Sequence, residues 1–401
     1  MIEDSGENKL MHSKLTGVKI ACVSTTPFSV MTQLKDQIKH LSNAGALITV
    51  VTGRGIVTEG WDLPPNASHY EINIVRNISP LKDLFALVGL IIFFYKNSFD
   101  IIHSTTPKAG LLASLAGFIV RVPIRLHTFT GQRWVHMQGL SRFLVRQSDS
   151  LIGLFNTDCY ADSCSQKEFL IKEKVIKKNS INVISSGSLA GVDLDRFNAN
   201  NFSLNELDEV REVLGISKES HVLLFVGRIT KDKGVDELVE AFMKCRDQYG
   251  DLHLILLGPI DSNDRKGIID VSKLRAIDKI HVLEYTHNPE KYMAIADILC
   301  LPSYREGFGT VIIEAASMGV PAIGTQIYGL SDAISDGVTG LLVRPRDSED
   351  LARAIKLLLD DSPLRIRLGH SAKKRAFTNF SSKLINEALV AEYCRLLMRR
   401  N

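Results

Sequence analysis

Two glutamates eight positions apart, Glu306 and Glu314, stand in the stretch from Ser303 to Pro321, where an apolar run gives way to a glycine-punctuated loop and a short apolar helix. The sequence predicts a buried strand over 297–302, a loop over 305–309, Thr310 as the helix N-cap, and a helix stop at Gly319 with Pro321 close behind. Glu306 then falls in the loop and Glu314 one turn into the helix. Val311, Ile312, Ile313, Ala315 and Ala316 flank Glu314, and a carboxylate in that setting needs a donor. The donor is either an Arg or Lys of the protein or a pair of ligand hydroxyls such as a ribose diol. The loop amides ahead of the helix suit an anion, because open N–H groups and the helix dipole face it together.

A second constellation follows the apolar run 221–226: Gly227-Arg228-Ile229-Thr230-Lys231-Asp232-Lys233-Gly234. Arg228 offers a fork of donors and Lys233 a mobile point charge, at a strand–loop–helix turn where a diphosphate would sit. Together they would neutralise a leaving group that gains negative charge. The same two cations also fit an ordinary surface turn.

Taken together, the loop 227–234, the run Glu306-Gly307-Phe308-Gly309 and Glu314 resemble the donor site of the family-four retaining glycosyltransferases of the GT-B fold. The resemblance spans residues 187–346, with 187–197 similar to that family's interdomain hinge and 329–343 similar to the segment after its donor helix. It implies that Arg228 and Lys233 bind the donor diphosphate, that Glu314 accepts the ribose hydroxyls, and that Glu306 contacts the transferred sugar. Main-chain amides of Gly307, Phe308 and Gly309 would hold sugar and phosphate. The first half matches more loosely: His127 ends a strand and enters a glycine loop, as that family's active-site histidine does, and His103 is a weaker parallel. Many relatives carry a Gly-Gly loop after the first strand, where this chain has Thr25-Thr26-Pro27-Phe28-Ser29, so that loop is read as an acceptor-side element.

The elements that must position these residues alternate in strand–helix order twice along the chain. Strands are predicted at 18–24, 46–52, 70–75, 100–103, 124–128, from 153 to 160, and at 181–184, with helices ending near 43 and spanning 81–95, 110–118, 140–149 and 163–173. A second series has strands at 221–226, 252–257, 280–283, 298–301, 321–324 and 340–343, and helices at 235–245, 264–276, 289–295, 310–318 and 351–359. The fold expected is α/β, two Rossmann-like domains facing a central cleft. The expected division is a polar tail 1–17, an acceptor domain 18–186, a linker 187–197, a donor domain 198–380, and a helix 381–401 packing back on the first domain. That last helix is expected to bury Leu384, Ala388, Ala391 and Leu396.

A chain of 401 residues calls for two cores, and 45% hydrophobic with 23% charged residues is a globular composition. Residues 1–190 carry 20 Lys+Arg against 14 Asp+Glu, while the remainder carries 28 against 31. The first half is the basic one, a surplus expected of an ordinary solvated surface, with an anionic acceptor or membrane face as the alternative, and too dilute for nucleic acid. The six cysteines are scattered and lack metal-ligand spacing, so reduced thiols are expected and no metal site. No Asp-x-Asp pair lies near a predicted strand end, which fits side-chain cations in place of a metal. The first 17 residues are polar, without the apolar stretch of a secretory signal. The longest uncharged apolar run, 84–95, is too short to span a bilayer and is expected to be a buried helix; a half-buried face touching a bilayer interface is the alternative for it and for the shorter run 111–120.

The resemblance therefore implies a metal-independent retaining transferase, without a cofactor, that moves a hexosyl or N-acetylhexosaminyl group from a nucleotide-sugar, a UDP-sugar by expectation. The acceptor would be a glycan or lipid-linked hydroxyl, by expectation a polyprenyl-diphosphate-linked glycan of surface polysaccharide synthesis. The expected location is cytoplasmic, with peripheral contact at the inner face of the plasma membrane through the first domain. A UDP-sugar epimerase of the same two-domain fold, or a silent nucleotide-binding partner subunit, would share the donor residues.

Overall fold

The computed structural model of the protein describes residues 15–55, 62–75, 79–260 and 269–400. The chain divides into two compact units: the described residues through Ala190 together with the segment from Ser382, and Gly191–Ser381. Each is built on a parallel sheet with helical crossovers, the arrangement of a Rossmann-like domain.

In the first unit β1 (Lys19–Val23), β2 (Leu47–Thr52), β3 (Ala67–Glu71), β4 (Ile101–Ser104), β5 (Ile124–Phe129), β6 (Asp158–Ala161) and β7 (Ile181–Val183) lie in the order β3-β2-β1-β4-β5-β6-β7. The second unit orders β8 (His221–Val226), β9 (Leu252–Leu257), β10 (Ile280–Leu283), β11 (Ile298–Leu301), β12 (Ala322–Thr325) and β13 (Gly340–Val343) as β10-β9-β8-β11-β12-β13. Central strands such as ILCL in β11 are continuously apolar because helices cover both faces of a parallel sheet, whereas the edge strand β3 reads ASHYE and is largely exposed. The strand order reverses between β1 and β4, and again between β8 and β11. Loops at such a switch point splay apart and leave room for a ligand.

Several boundaries differ from expectation. The first helix is two, Pro27–Gln33 and Lys35–Asn43, with Leu34 between them at φ −118°. The third strand forms at Ala67–Glu71 rather than 70–75. Gly153 belongs to the helix Gly139–Phe155, where it faces Ile176 closely, and the strand begins only at Asp158. Part of the expected helix 264–276 lies outside the described residues; its described part is Val271–Arg275. Besides the single turn Leu330–Ala333, two longer helices escape the sequence reading. Leu204–Val213 starts with a capping box of Ser203 and Glu206, and Ser362–Asn379 has small and basic residues with little apolar periodicity.

The helix Ser382–Met398 buries Ile385, Asn386, Leu389, Val390, Tyr393 and Leu396. Of the four residues expected to face inward only Leu396 does so, while Leu384 and Ala391 are exposed. The buried row Ile385, Leu389, Tyr393 and Leu396 recurs every three or four residues and sets the inward face; the Tyr393 hydroxyl reaches His103 Nδ1 at 2.5 Å inside the first sheet, and Glu392 accepts from the Tyr160 hydroxyl at 2.6 Å. Four cysteines are buried; Cys164 is exposed and Cys394 half-buried.

Candidate active site

The loop after β8 and the loop after β11 are locked together by backbone geometry. Gly234 sits at φ 70°, and a Cβ there would lie 2.1 Å from the Pro302 carbonyl oxygen, so only glycine lets the first loop rest on the end of β11. The Tyr304 amide then donates to the Asp232 carbonyl at 2.9 Å. On the other side Gly329, at φ 85°, clears the Glu306 and Gly307 carbonyl oxygens, which a Cβ would meet at 2.7 and 2.8 Å. Glu306 is thus pinned between two glycines that are distant in sequence.

This packing brings Lys233 Nζ to 2.5 Å from Glu306 Oε1, with both side chains mostly buried. Glu306 Oε1 also accepts from the Ser303 hydroxyl at 2.8 Å, and Thr325 in turn donates to the Ser303 carbonyl. Arg228 stands on the same loop, with Nη2 3.7 Å from Asp232 Oδ2, and Arg305 reaches the same oxygen at 3.1 Å. Burial would raise the Asp232 carboxyl, but the Thr230 hydroxyl, Arg305, Arg228 and Lys233 outweigh it and hold it below the usual carboxylate range. Three cations and two carboxylates therefore share one small surface. An anion arriving there exchanges partners rather than meeting bare charge.

The helix Thr310–Met318 starts beside this cluster. Its N-cap is Gly309 at φ 88°, not Thr310 as the sequence suggested, and no side chain caps it. A Cβ at residue 309 would meet Leu330 Cδ2 at 2.5 Å, which is why the cap position falls to glycine. First-turn amides are thus left without a side-chain acceptor and can face an anion. Phe308 turns its ring into the core against Phe380, at 5.1 Å between centroids, so only its main chain can serve a ligand.

Glu314 lies one turn along that helix, half-buried. Among the described residues its carboxylate has no hydrogen-bond partner. Burial pushes its pKa up to about 7, against the pull of Arg196 and with the help of Glu290. Arg196 is already engaged, donating to Glu290 Oε2 at 2.9 Å. Of the two donors weighed for Glu314, the protein cation is near enough to be felt but is committed elsewhere.

His127 belongs to the first unit, on β5. It is buried, with its ring edge-on to Phe129 at 4.6 Å, and Gly110 makes room for it, since a Cβ there would stand 2.4 Å from Cε1. Ser104 Oγ donates to the Leu126 carbonyl and lies 2.9 Å from His127 Nδ1. With the hydroxyl hydrogen spent on Leu126, Nδ1–H is the donor and Nε2 keeps its lone pair. Burial, then His103, lowers the His127 pKa to about 3, so the ring is neutral. His103 uses both nitrogens internally, Nδ1 on Tyr393 and Nε2 on Thr128 Oγ1 at 2.8 Å. It joins two strands to the Ser382–Met398 helix.

Residues 207–375 match the model of the glycosyl transferases group 1. Over 360 residues the chain is 31% identical to the capsular polysaccharide biosynthesis glycosyltransferase CapM of Staphylococcus aureus, covering 90% of this chain and 93% of that protein. The chain belongs to the group 1 glycosyl transferases. The Escherichia coli UDP-Gal:alpha-D-GlcNAc-diphosphoundecaprenol alpha-1,3-galactosyltransferase is 27% identical over 305 residues, covering 73% of this chain and 75% of that one. Among solved structures, Anabaena HepE in complex with UDP and glucose superposes with a TM-score of 0.77 at 20% identity, over 94% of this chain and 99% of that one. It shares the GT-B fold with this transferase.

Within the transferase the structure joins Lys233 directly to Glu306, and Arg228 to them through Asp232. Glu314 has its own electrostatic surroundings, and His127 stands on the other unit. Sequence reasoning missed Asp232, Ser303 and Arg305. Asp232 carried a faint signal, four residues after Arg228 and next to Lys233. Ser303 carried none, because its contact depends on how the strand end turns.

Proposed function

We propose that this glycosyltransferase moves a hexosyl or N-acetylhexosaminyl group from a UDP-sugar, with retention, to a hydroxyl of a polyprenyl-diphosphate-linked glycan in surface polysaccharide synthesis. The observation that carries the reading is the Lys233–Glu306 contact, held with Arg228 and Asp232 beside an uncapped helix start. The diphosphoundecaprenol-linked acceptor of the Escherichia coli relative supports the acceptor class, the capsular polysaccharide role of Staphylococcus aureus CapM supports surface polysaccharide synthesis, and the HepE complex supports UDP.

In the proposed step the bond from the sugar's anomeric carbon to the diphosphate oxygen breaks, and its electron pair stays with the diphosphate. Arg228, Lys233 and the amides of 307–309 take up that charge. The acceptor oxygen bonds to the anomeric carbon on the same face, and its proton passes to the departing phosphate oxygen. Glu306 holds the sugar, Glu314 accepts the ribose hydroxyls, and neutral His127 accepts a sugar hydroxyl hydrogen at Nε2. The reaction takes place on the cytoplasmic side, at the inner face of the membrane that carries the acceptor.

UDP release from a panel of UDP-sugars, with and without a membrane extract containing polyprenyl-diphosphate sugars, tests this for wild type and Glu306→Ala. Extract-dependent release from one donor, lost in the variant, is expected. Release that ignores the extract would overturn the transfer reading in favour of hydrolysis or epimerisation.

A further inference from the structure

Three helices of the first unit carry apolar side chains on the side away from the sheet. In Pro80–Asn97, Ala86, Leu90 and Phe94 face the core, yet Leu81, Leu84, Phe85, Val88, Ile92 and Tyr95 are exposed and recur every three or four residues. A helix with one buried stripe ordinarily turns polar residues to water. Here Leu81 and Phe85 are 73% and 75% exposed. The helix Gly139–Phe155 repeats the pattern, with Leu140 and Leu154 at 72% and 70% and Leu144 and Leu151 between them. Pro107–Ile119 packs against both of these helices and ends in exposed Phe118 and Ile119. The Phe118 ring touches Phe155 at 5.2 Å between centroids, so the exposed apolar surface runs from one helix to the next. Patches on this scale mark interaction surfaces.

The charges on this face decide its occupant. Lys82, Lys96 and Arg142 on the helices, and Arg121 just beyond one of them, are exposed. The three helices contain only two acids: Asp83, paired with Lys108 at 2.6 Å, and Asp149, buried and accepting from Trp134 Nε1 at 2.7 Å. An apolar surface with a wholly basic set of exposed charges complements an anionic bilayer, where ring and aliphatic groups enter the acyl boundary and Lys and Arg reach the headgroups. A second copy of the chain would bring the same positive charge against itself. Among the described residues no helix is long and apolar enough to cross a membrane, which leaves helices lying in its plane.

We propose that the outer faces of helices 80–97, 107–119 and 139–155 form a docking surface that seats the first unit on an anionic lipid bilayer. The inference deepens the lipid-linked acceptor reading and rests on it for its purpose, but its test needs no acceptor. The full chain is spun with phosphatidylglycerol vesicles and with phosphatidylcholine vesicles, beside Phe85→Ser, Leu144→Ser and the double variant Lys82→Ala/Arg142→Ala. Expected are binding to phosphatidylglycerol that weakens with salt, a drop of about tenfold for each apolar variant, and loss of the anionic preference in the double variant. UDP affinity should be unchanged in all of them, which shows that they fold.

Wild type that binds UDP but not phosphatidylglycerol vesicles would overturn the proposal. So would variants that bind vesicles as wild type does, or a concentration-dependent dimer broken by Phe85→Ser, which would give the face to a second copy. Transfer to a detergent-dispersed polyprenyl-diphosphate-linked acceptor, measured without vesicles, reports on the acceptor reading alone. Either can therefore fail while the other stands.

Discussion

The second unit keeps its chemistry in charges that can trade partners, whereas the first keeps its histidines neutral and buried. Lys233, Arg228 and Arg305 hold two carboxylates at a partly open surface, and every one of those contacts can be exchanged for a phosphate or sugar oxygen. His103 and His127 are buried, and burial drives their pKa values down to about 4 and 3. One unit is built to answer a change of charge; the other presents fixed hydrogen-bond geometry. Breaking the two should therefore leave different kinetic signatures.

The largest effect is expected in the charged unit. Lys233→Ala should lower kcat by about two to three orders of magnitude, the usual cost of one electrostatic contact to a developing anion. Steady-state UDP release measures it, and a near-normal rate would remove Lys233 from that role. Gly234→Ala should come close behind without touching a charge. Its Cβ would strike the Pro302 carbonyl, so the loop must move, and stability should fall by about 1–3 kcal/mol in thermal melts.

His127→Ala, which removes a neutral acceptor, should cost about one to two orders of magnitude in kcat/KM. Its defect should stay flat between pH 6 and 8, because the native ring remains uncharged there. Glu314 should behave in the opposite way. Its pKa of about 7 lies above the ordinary carboxylate value, so lowering the pH through 7 protonates the group, and in its proposed role it should then no longer accept two ribose hydroxyls. Calorimetry should find UDP affinity falling up to about tenfold per pH unit below that point. Glu314→Gln should give weaker binding with no such pH slope. A wild-type profile as flat as the variant's would break the comparison.

Much of the fold was legible because buried parallel strands leave continuous apolar runs: β8, β9 and β10 stand where the sequence placed them. The helix Ser362–Asn379 was not legible, since it packs through small residues such as Gly369, Ala372 and Ala376 that form no apolar stripe. The inward face of helix Ser382–Met398 was legible but misjudged: the buried row Ile385, Leu389, Tyr393 and Leu396 has helical spacing, and the row through Leu384, Ala388 and Ala391 was taken in its place. In the candidate site the sequence displayed the charges but not their pairing. Arg228 and Lys233 could be named from the loop and Asp232 left a faint signal beside them, whereas Ser303 and Arg305 became visible only once Gly234 and Gly329 had drawn distant backbones together.

The membership of Ser382–Met398 in the first unit sets an order of events during synthesis. Its Leu389, Val390, Tyr393 and Leu396 complete a core whose other members, from Leu15 to Tyr160, are made long before them. On the ribosome that core waits until all of Gly191–Ser381 has been added, about 10 to 40 s at ordinary elongation rates. Throughout that interval His103 lacks its tyrosine and the groove for the helix stands open. Nascent chains of this transferase should be clients of ribosome-associated chaperones, and their release from them should coincide with the arrival of Tyr393.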